Sequence, residues 1–184
     1  MTLTAAPVLK TARLVLRGPQ KSDLVPLTAM ITGSARMDTM GGNGTEEDGW
    51  RTMMSAVGHW HWHGYGFFTL VERESDLPAG RVGILNHHGW PAPELAWHVF
   101  DGFEGKSVAY EAACAVRHWA GEALGLQPLI SLIGEDNPRS QALAKRLGAS
   151  EERRMDWKGY PTIQFRHLAH DDPRAVSQWE EVAA

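Results

Sequence analysis

Eight consecutive residues, Gly102-Phe103-Glu104-Gly105-Lys106-Ser107-Val108-Ala109, have the composition of an anion site. The apolar run Glu94-Leu95-Ala96-Trp97-His98-Val99-Phe100 precedes them. Val108, Ala112, Val116, Trp119, Ala120 and Ala123 follow at helical spacing, so the glycines fall in a strand-to-helix turn. Gly102 and Gly105 allow the chain to turn tightly without a Cβ, and the first N–H groups of a helix have no partner within it. With the positive end of the helix dipole and Lys106 beside them, such donors suit a pyrophosphate. The same residues would equally make an ordinary turn in which Ser107 caps the helix, since short glycine patterns recur by chance.

A second candidate is His59-Trp60-His61-Trp62-His63, in which His59 and His63 share a helix face at the spacing of a metal pair. No acidic residue stands where a zinc-protease helix needs one. The histidines therefore read as helix-end residues near a substrate entrance, and no metal is expected. Cys114 is the only cysteine, which excludes an internal disulfide; inside a helical pattern it reads as a small core residue in a reducing cytoplasm.

The elements that must hold these residues follow in order. Thr11 to Arg17 reads as a strand closed by Gly18-Pro19, and Ser22 caps a helix through Leu24, Leu27 and Ile31. Gly33 to Gly49 is a polar, glycine-rich loop without the Gly-Lys-Ser/Thr of a phosphate loop. Thr45 with Asp48 starts a second helix whose face is Trp50, Met53, Met54, Val57 and Trp60, ending at Gly64. Phe67 to Glu72 and Arg81 to Asn86 form a hairpin, and a Pro-containing connection leads to the strand at Glu94. After the glycine turn a long helix runs to Leu124 with Gly125 as its stop. Leu129 to Ile133 is a buried-type strand; Asn137 or Asp136 then starts a helix with Pro138 in its first turn and Gly148 at its end. Glu151 to Trp157 and Thr162 to Leu168 make a closing hairpin. Residues 1–169 thus read as one domain and 170–184 as a tail, a short amphipathic helix with Val176, Trp179 and Val182 that docks on the core or on a second subunit in a homodimer.

At 184 residues, 43% hydrophobic and 22% charged, the chain is long and apolar enough to bury a core and too apolar to be disordered. A net charge of −4 with no basic stripe excludes a dedicated nucleic-acid binder. No run of eighteen apolar residues occurs and Met1 to Lys10 lacks the apolar run of a signal peptide, so neither a membrane nor export is expected.

Taken together, the strand with Glu94, the glycine turn into a helix, and the strand followed by Asn137-Pro138-Arg139-Ser140 resemble the GNAT N-acetyltransferase superfamily, in particular its RimJ/RimL-like branch. The likeness runs from Thr11 to Leu168 and includes Thr11-Ala12-Arg13-Leu14-Val15-Leu16-Arg17, Gly105-Lys106-Ser107-Val108-Ala109 with Glu111-Ala112, and Arg146-Leu147-Gly148. It implies an α+β, α/β/α layered fold. The sheet would be mixed and mostly antiparallel, of about seven strands, splayed between strands four and five to admit acetyl-CoA, with helices on both faces. It also implies that the N–H groups of Gly105, Lys106, Ser107, Val108 and Ala109 hold the CoA pyrophosphate, with Lys106 adding charge. Trp97, His98 and Val99 would offer backbone groups to the pantetheine arm, Asn137 would hydrogen-bond it, and Ser140 would lie near the sulfur. Two departures stand out. Gly102 occupies a position where relatives often carry Gln or Arg, and Ala144 one where many place a tyrosine acid.

The implied reaction is direct attack of an acceptor amine on the thioester. At pH 7 about one α-amino group in six is neutral, against about one lysine side chain in 2,500, so an N-terminal acceptor needs less help from a base. Glu94, at the start of the strand facing the thioester, is the expected proton acceptor, with His87, His88 and His98 in reserve. Ser140 is the expected donor to the leaving thiolate. The acceptor could be a peptide N-terminus, a small amine or an amino-sugar. The competing expectation is a CoA-binding module without catalysis.

Overall fold

Each apolar run becomes a strand and each helical period a helix; a computed structural model describes residues 6–39 and 41–183. Among these the sheet has eight strands, in the order β1 (Leu9–Lys10), β2 (Leu14–Arg17), β3 (Phe67–Glu72), β4 (Pro78–Leu85), β5 (Glu94–Val99), β6 (Ile130–Gly134), β8 (Tyr160–Arg166), β7 (Ser150–Trp157). All neighbours are antiparallel except β5 and β6, which are parallel and share a single register pair, Glu94 with Ile130. This is the expected splay between the fourth and fifth strands, counted one higher because the two-residue β1 adds an eighth strand that its short, half-polar sequence hides.

Five α-helices cover the sheet: α1 (Leu24–Gly33), α2 (Glu46–His63), α3 (Val108–Leu124), α4 (Pro138–Arg146) and α5 (Pro173–Val182). Because side chains alternate along a strand, Leu14, Leu16, Phe68, Leu70, Val82, Ile84 and Leu95 all point to one face, where they pack with Val108, Ala112, Cys114, Val116 and Val182. On the other face Leu27, Met30, Ile31 and Met53 close over Phe100. The tail helix lies on this domain itself, its backbone tied to Ala12 through Val182 and its Gln178 to Arg117 on α3.

Local chemistry sets the helix ends. Thr45 accepts from the Asp48 N–H and Asp48 bonds back to the Thr45 N–H, so α2 begins on a capping box and ends at Gly64 with φ +73°. Asn137 accepts from the Ser140 N–H, with Pro138 next to it. Three expectations change. Ser22 does not cap α1; it lies in a 3-10 turn organised by Asp23, which takes two hydrogen bonds from Arg17. The strand expected from Arg81 starts at Pro78, because Ala79 and Gly80 already pair along β3 and β5. Finally, α2 buries Met53, Ala56 and Trp60, while Trp50, Met54 and Val57 stand on the exposed side; the indole of Trp60, bonded to the Phe67 carbonyl, fixes the helix rotation.

Gly83 lets β3 and β4 approach. A Cβ there would lie 2.1 Å from the Gly66 carbonyl oxygen and 2.4 Å from Phe67 Cα, backbone atoms that cannot step aside. Gly83→Ala is therefore expected to lower stability by about 3 kcal/mol or more, read as a fall in the chemical-denaturation midpoint.

Candidate active site

The site begins where β5 and β6 part. The Ile130 N–H reaches the Pro93 carbonyl, but beyond that point side chains replace the backbone ladder. Ser131 Oγ donates to the Leu95 carbonyl at 2.5 Å, and the Leu132 N–H donates to Glu94 Oε1 at 3.0 Å. Pro93 and Leu95 turn their carbonyls toward β6, so by the two-residue period Trp97 and Val99 turn their backbone groups into the gap. His98 has the opposite parity: it pairs in register with Arg81 on β4 and turns its backbone groups to that strand. Of the three residues expected to present backbone, two do. Ala96, Trp97, His98 and Val99 are each partly exposed although their strand is central, which marks the mouth of the cleft.

The head of α3 forms the next wall. Gly102 (φ +91°) and Gly105 (φ +69°) adopt the left-handed conformation, and a Cβ on Gly105 would meet only open space. Ser107 is left-handed too, at φ +61°, and its hydroxyl does not cap the helix. It accepts instead from Arg146 Nη1 at 2.9 Å. The first bond into the helix is from the Glu111 N–H to the Ser107 carbonyl, so the N–H groups of Gly105 to Tyr110 find no acceptor among the described residues. The helix-side end of this turn is anchored by Glu111, buried in the first turn of α3, which accepts from Thr11 Oγ1 and from the backbone and side chain of Arg13.

These walls, with α4, enclose a cleft of about 520 Å³ lined by Trp97, His98, Val99, Gly105, Ser107, Val108, Ala109, Asn137 and Ser140 among others. Asn137 spends its Oδ1 on the Ser140 N–H, which leaves its amide hydrogens free. Trp97 Nε1 donates to Ser140 Oγ at 3.3 Å, so the serine proton is free to point elsewhere. Three expected residues lie outside the wall. Gly102 only shapes the turn. Lys106 is exposed and lays its ammonium 4.9 Å from the ring centroid of Phe103, which itself lines the cleft. Glu94 lies at the closed end of the split.

Cations absent from the expectation do line the cleft: Arg139 and Arg146 from α4 and Arg36 from the segment after α1. Arg146 sits 3.9 Å over the Tyr110 ring and bridges α4 to the α3 head. It supplies the positive charge that Gly102 does not. The signal for the pair was present in the sequence: Arg139, Leu143 and Arg146 recur at i, i+4, i+7, one face of the helix that starts at Asn137.

Glu94 is buried, with Oε2 held by Trp90 Nε1 at 2.6 Å and Oε1 by Leu132. Burial outweighs those two bonds and pushes its carboxyl up to about 7. It is neither solvent-facing nor freely placed, since it also caps the strand N–H that the splay would orphan. Of the histidines, His59 has both ring nitrogens engaged, with the Tyr65 carbonyl and the Asn86 N–H, which ties α2 to the sheet. His87 is lowered by burial and stands against Trp90.

With this geometry in place the relatives are informative. The acetyltransferase (GNAT) domain family matches residues 13–150, three quarters of the sequence, and the chain belongs to that family. A crystal structure of an acetyltransferase from Agrobacterium tumefaciens is 30% identical, with a TM-score of 0.81, covering 88% of this chain and 94% of the other. A putative GNAT-family acetyltransferase from Bordetella pertussis is 27% identical (TM-score 0.75; 88% and 99%). RimL, a ribosomal L7/L12 acetyltransferase solved with coenzyme A, shares the fold at 16% identity (TM-score 0.72; 91% and 99%). The protein is an acetyltransferase, of the layered α+β fold expected, and no helix among the described residues is long and apolar enough to cross a membrane.

Proposed function

We propose that the protein transfers the acetyl group of acetyl-CoA to a primary amine within the cleft between β5, α3 and α4, in the manner of the RimJ/RimL-like branch. The observation that carries this reading is the row of unpaired N–H groups from Gly105 to Tyr110, beside a gap into which Trp97 and Val99 turn their backbone. Amides left without acceptors favour an anion, and Arg146 and Arg139, which line the cleft, add positive charge. Acetyl-CoA, when bound, supplies the activated acyl group; the diphosphate suits the α3 head and the pantetheine suits the β5 edge and the Asn137 amide.

The chain's own residues then handle two protons. Glu94, held near neutrality by burial, takes the proton of the acceptor amine through water, since its carboxyl is set back from the cleft wall. Ser140, whose Oγ already accepts from Trp97, can pass its proton to the departing thiolate as it takes one from water in the cleft. Ser140→Ala is expected to lower kcat about tenfold with little change in KM for acetyl-CoA; an unchanged kcat removes Ser140 from the chemistry. The reading as a whole is tested by thiol release from acetyl-CoA across peptide N-termini, polyamines and amino-sugars. Tight coenzyme binding with no release for any amine would favour the module without catalysis.

A further inference from the structure

The state of His98 follows from its neighbours, and the inference rests on the cleft being the acyl-transfer site. His98 is among the residues that line the cleft, and its imidazole stacks on Phe67, with centroids 5.4 Å apart. Arg81 Nε donates to His98 Nδ1 at 2.7 Å. Arg81 is itself confined: it is buried, its guanidinium lies 4.5 Å from the centroid of the same Phe67 ring, and it forms no ion pair among the described residues. An arginine Nε carries its hydrogen throughout the physiological range and has no lone pair to offer. His98 Nδ1 must then be the bare acceptor, and the one proton of the ring must sit on Nε2, for which no described residue supplies an acceptor.

We propose that Arg81 locks His98 into the neutral Nε2–H form, so that His98 serves as a fixed hydrogen-bond donor to an oxygen of the bound substrate and cannot act as the base. The charged neighbours agree. From β4 comes only Arg81, a cation, and beyond it Asp23, whose carboxylate is taken by two bonds from Arg17 on β2. On the α1 side Arg36 is held by Glu104 and Asp101, and on β5 and β3 the adjoining side chains, Ala96 and Phe67, are neutral. Among the described residues His98 forms no ion pair that would favour an imidazolium, and burial with the Arg81 charge holds its basicity well below the usual histidine range. This removes one of the reserve bases and assigns it a positioning role instead.

Nitrogen-15 NMR of the histidine rings in the intact protein, with His98 assigned by its loss in His98→Gln, reads the state directly. The expected spectrum is the Nε2–H tautomer, unchanged from pH 8 to pH 5. An Nδ1–H pattern, or titration with an ordinary midpoint, overturns the proposal. Arg81→Met removes the donor while keeping length and apolar packing; the Nδ1–H tautomer should then appear in the spectrum, while burial still holds the ring's basicity below the usual histidine range. An unchanged spectrum in a folded variant contradicts the lock. In kinetics His98→Gln, which keeps an N–H, should hold the acceptor KM within about threefold, while His98→Phe should raise it about tenfold. Equal effects in the two overturn the donor role. The tautomer is read without turnover, so a protein that transfers no acetyl group would defeat the earlier reading while the spectrum still showed which nitrogen of His98 carries the proton.

Discussion

Replacing Ser107 with aspartate is expected to weaken coenzyme A binding about a hundredfold while holding or raising the melting temperature. Ser107 sits at the head of α3 in the left-handed conformation, which aspartate tolerates better than most residues. Its hydroxyl already receives Arg146 Nη1, so a carboxylate there would gain a charged partner and would face the positive end of the helix. Both effects stabilise the fold by about 0.3–1 kcal/mol. The same carboxylate would occupy the unpaired amides and repel a diphosphate. A like-charge pair about 4 Å apart costs about 4 kcal/mol at an effective dielectric near 20, enough for a loss of two orders of magnitude after partial screening. Titration calorimetry with coenzyme A checks the binding and calorimetric unfolding checks the fold. Wild-type affinity in the aspartate variant would show that the α3 head is not the anion site; Ser107→Ala, the control, should change affinity by less than about fivefold.

The second large effect belongs to Glu94. Its carboxyl is raised from 4.5 to about 7 because burial disfavours the charge, in spite of the Trp90 and Leu132 bonds. The folded state therefore binds this proton more tightly than the unfolded chain. Its stabilising contribution is complete below about pH 4.5 and is lost as pH rises through 7, a change of about 3 kcal/mol across that window. Glu94→Gln should abolish this slope, at the cost of one of the two hydrogen bonds, about 1 kcal/mol at pH 5. For turnover the sign is reversed: the ionised form is the competent proton acceptor, so wild-type kcat should rise through a midpoint near 7. In Glu94→Gln that limb should disappear and kcat at pH 8 should fall about a hundredfold. A variant that loses the stability slope but keeps the kinetic limb would assign Glu94 to holding the Leu132 N–H alone.

Much of this arrangement was legible in the residues. The order of strands and helices followed from period and from capping chemistry, and Thr45, Asn137, Gly64 and Gly125 end or begin helices as their types dictate. The glycine turn was readable because Gly102 and Gly105 adopt backbone conformations that favour glycine. What stayed hidden depends on three dimensions. The buried face of α2 carries Ala56 and Gly49 and not Trp50, because Gly49 packs against Thr28 and the Trp60 indole finds the Phe67 carbonyl. Ser107 is left-handed and does not cap α3, a choice no propensity announces. Arg146 compensates for Gly102 from a different helix, and a strand residue such as Arg81 meets His98 only because β4 and β5 pair in that register. Glu94 was singled out from its place on the strand; its burial and its hold on Leu132 needed the splay itself.

The most direct measurement is a crystal structure of the protein with coenzyme A. The account predicts the diphosphate against the amides of Gly105 to Tyr110 with Arg146 beside it, and the pantetheine running past Trp97 and Val99 to place its sulfur near Ser140. Coenzyme bound elsewhere on the molecule, or those amides met by the protein's own side chains in a crystal grown at saturating coenzyme, would contradict it.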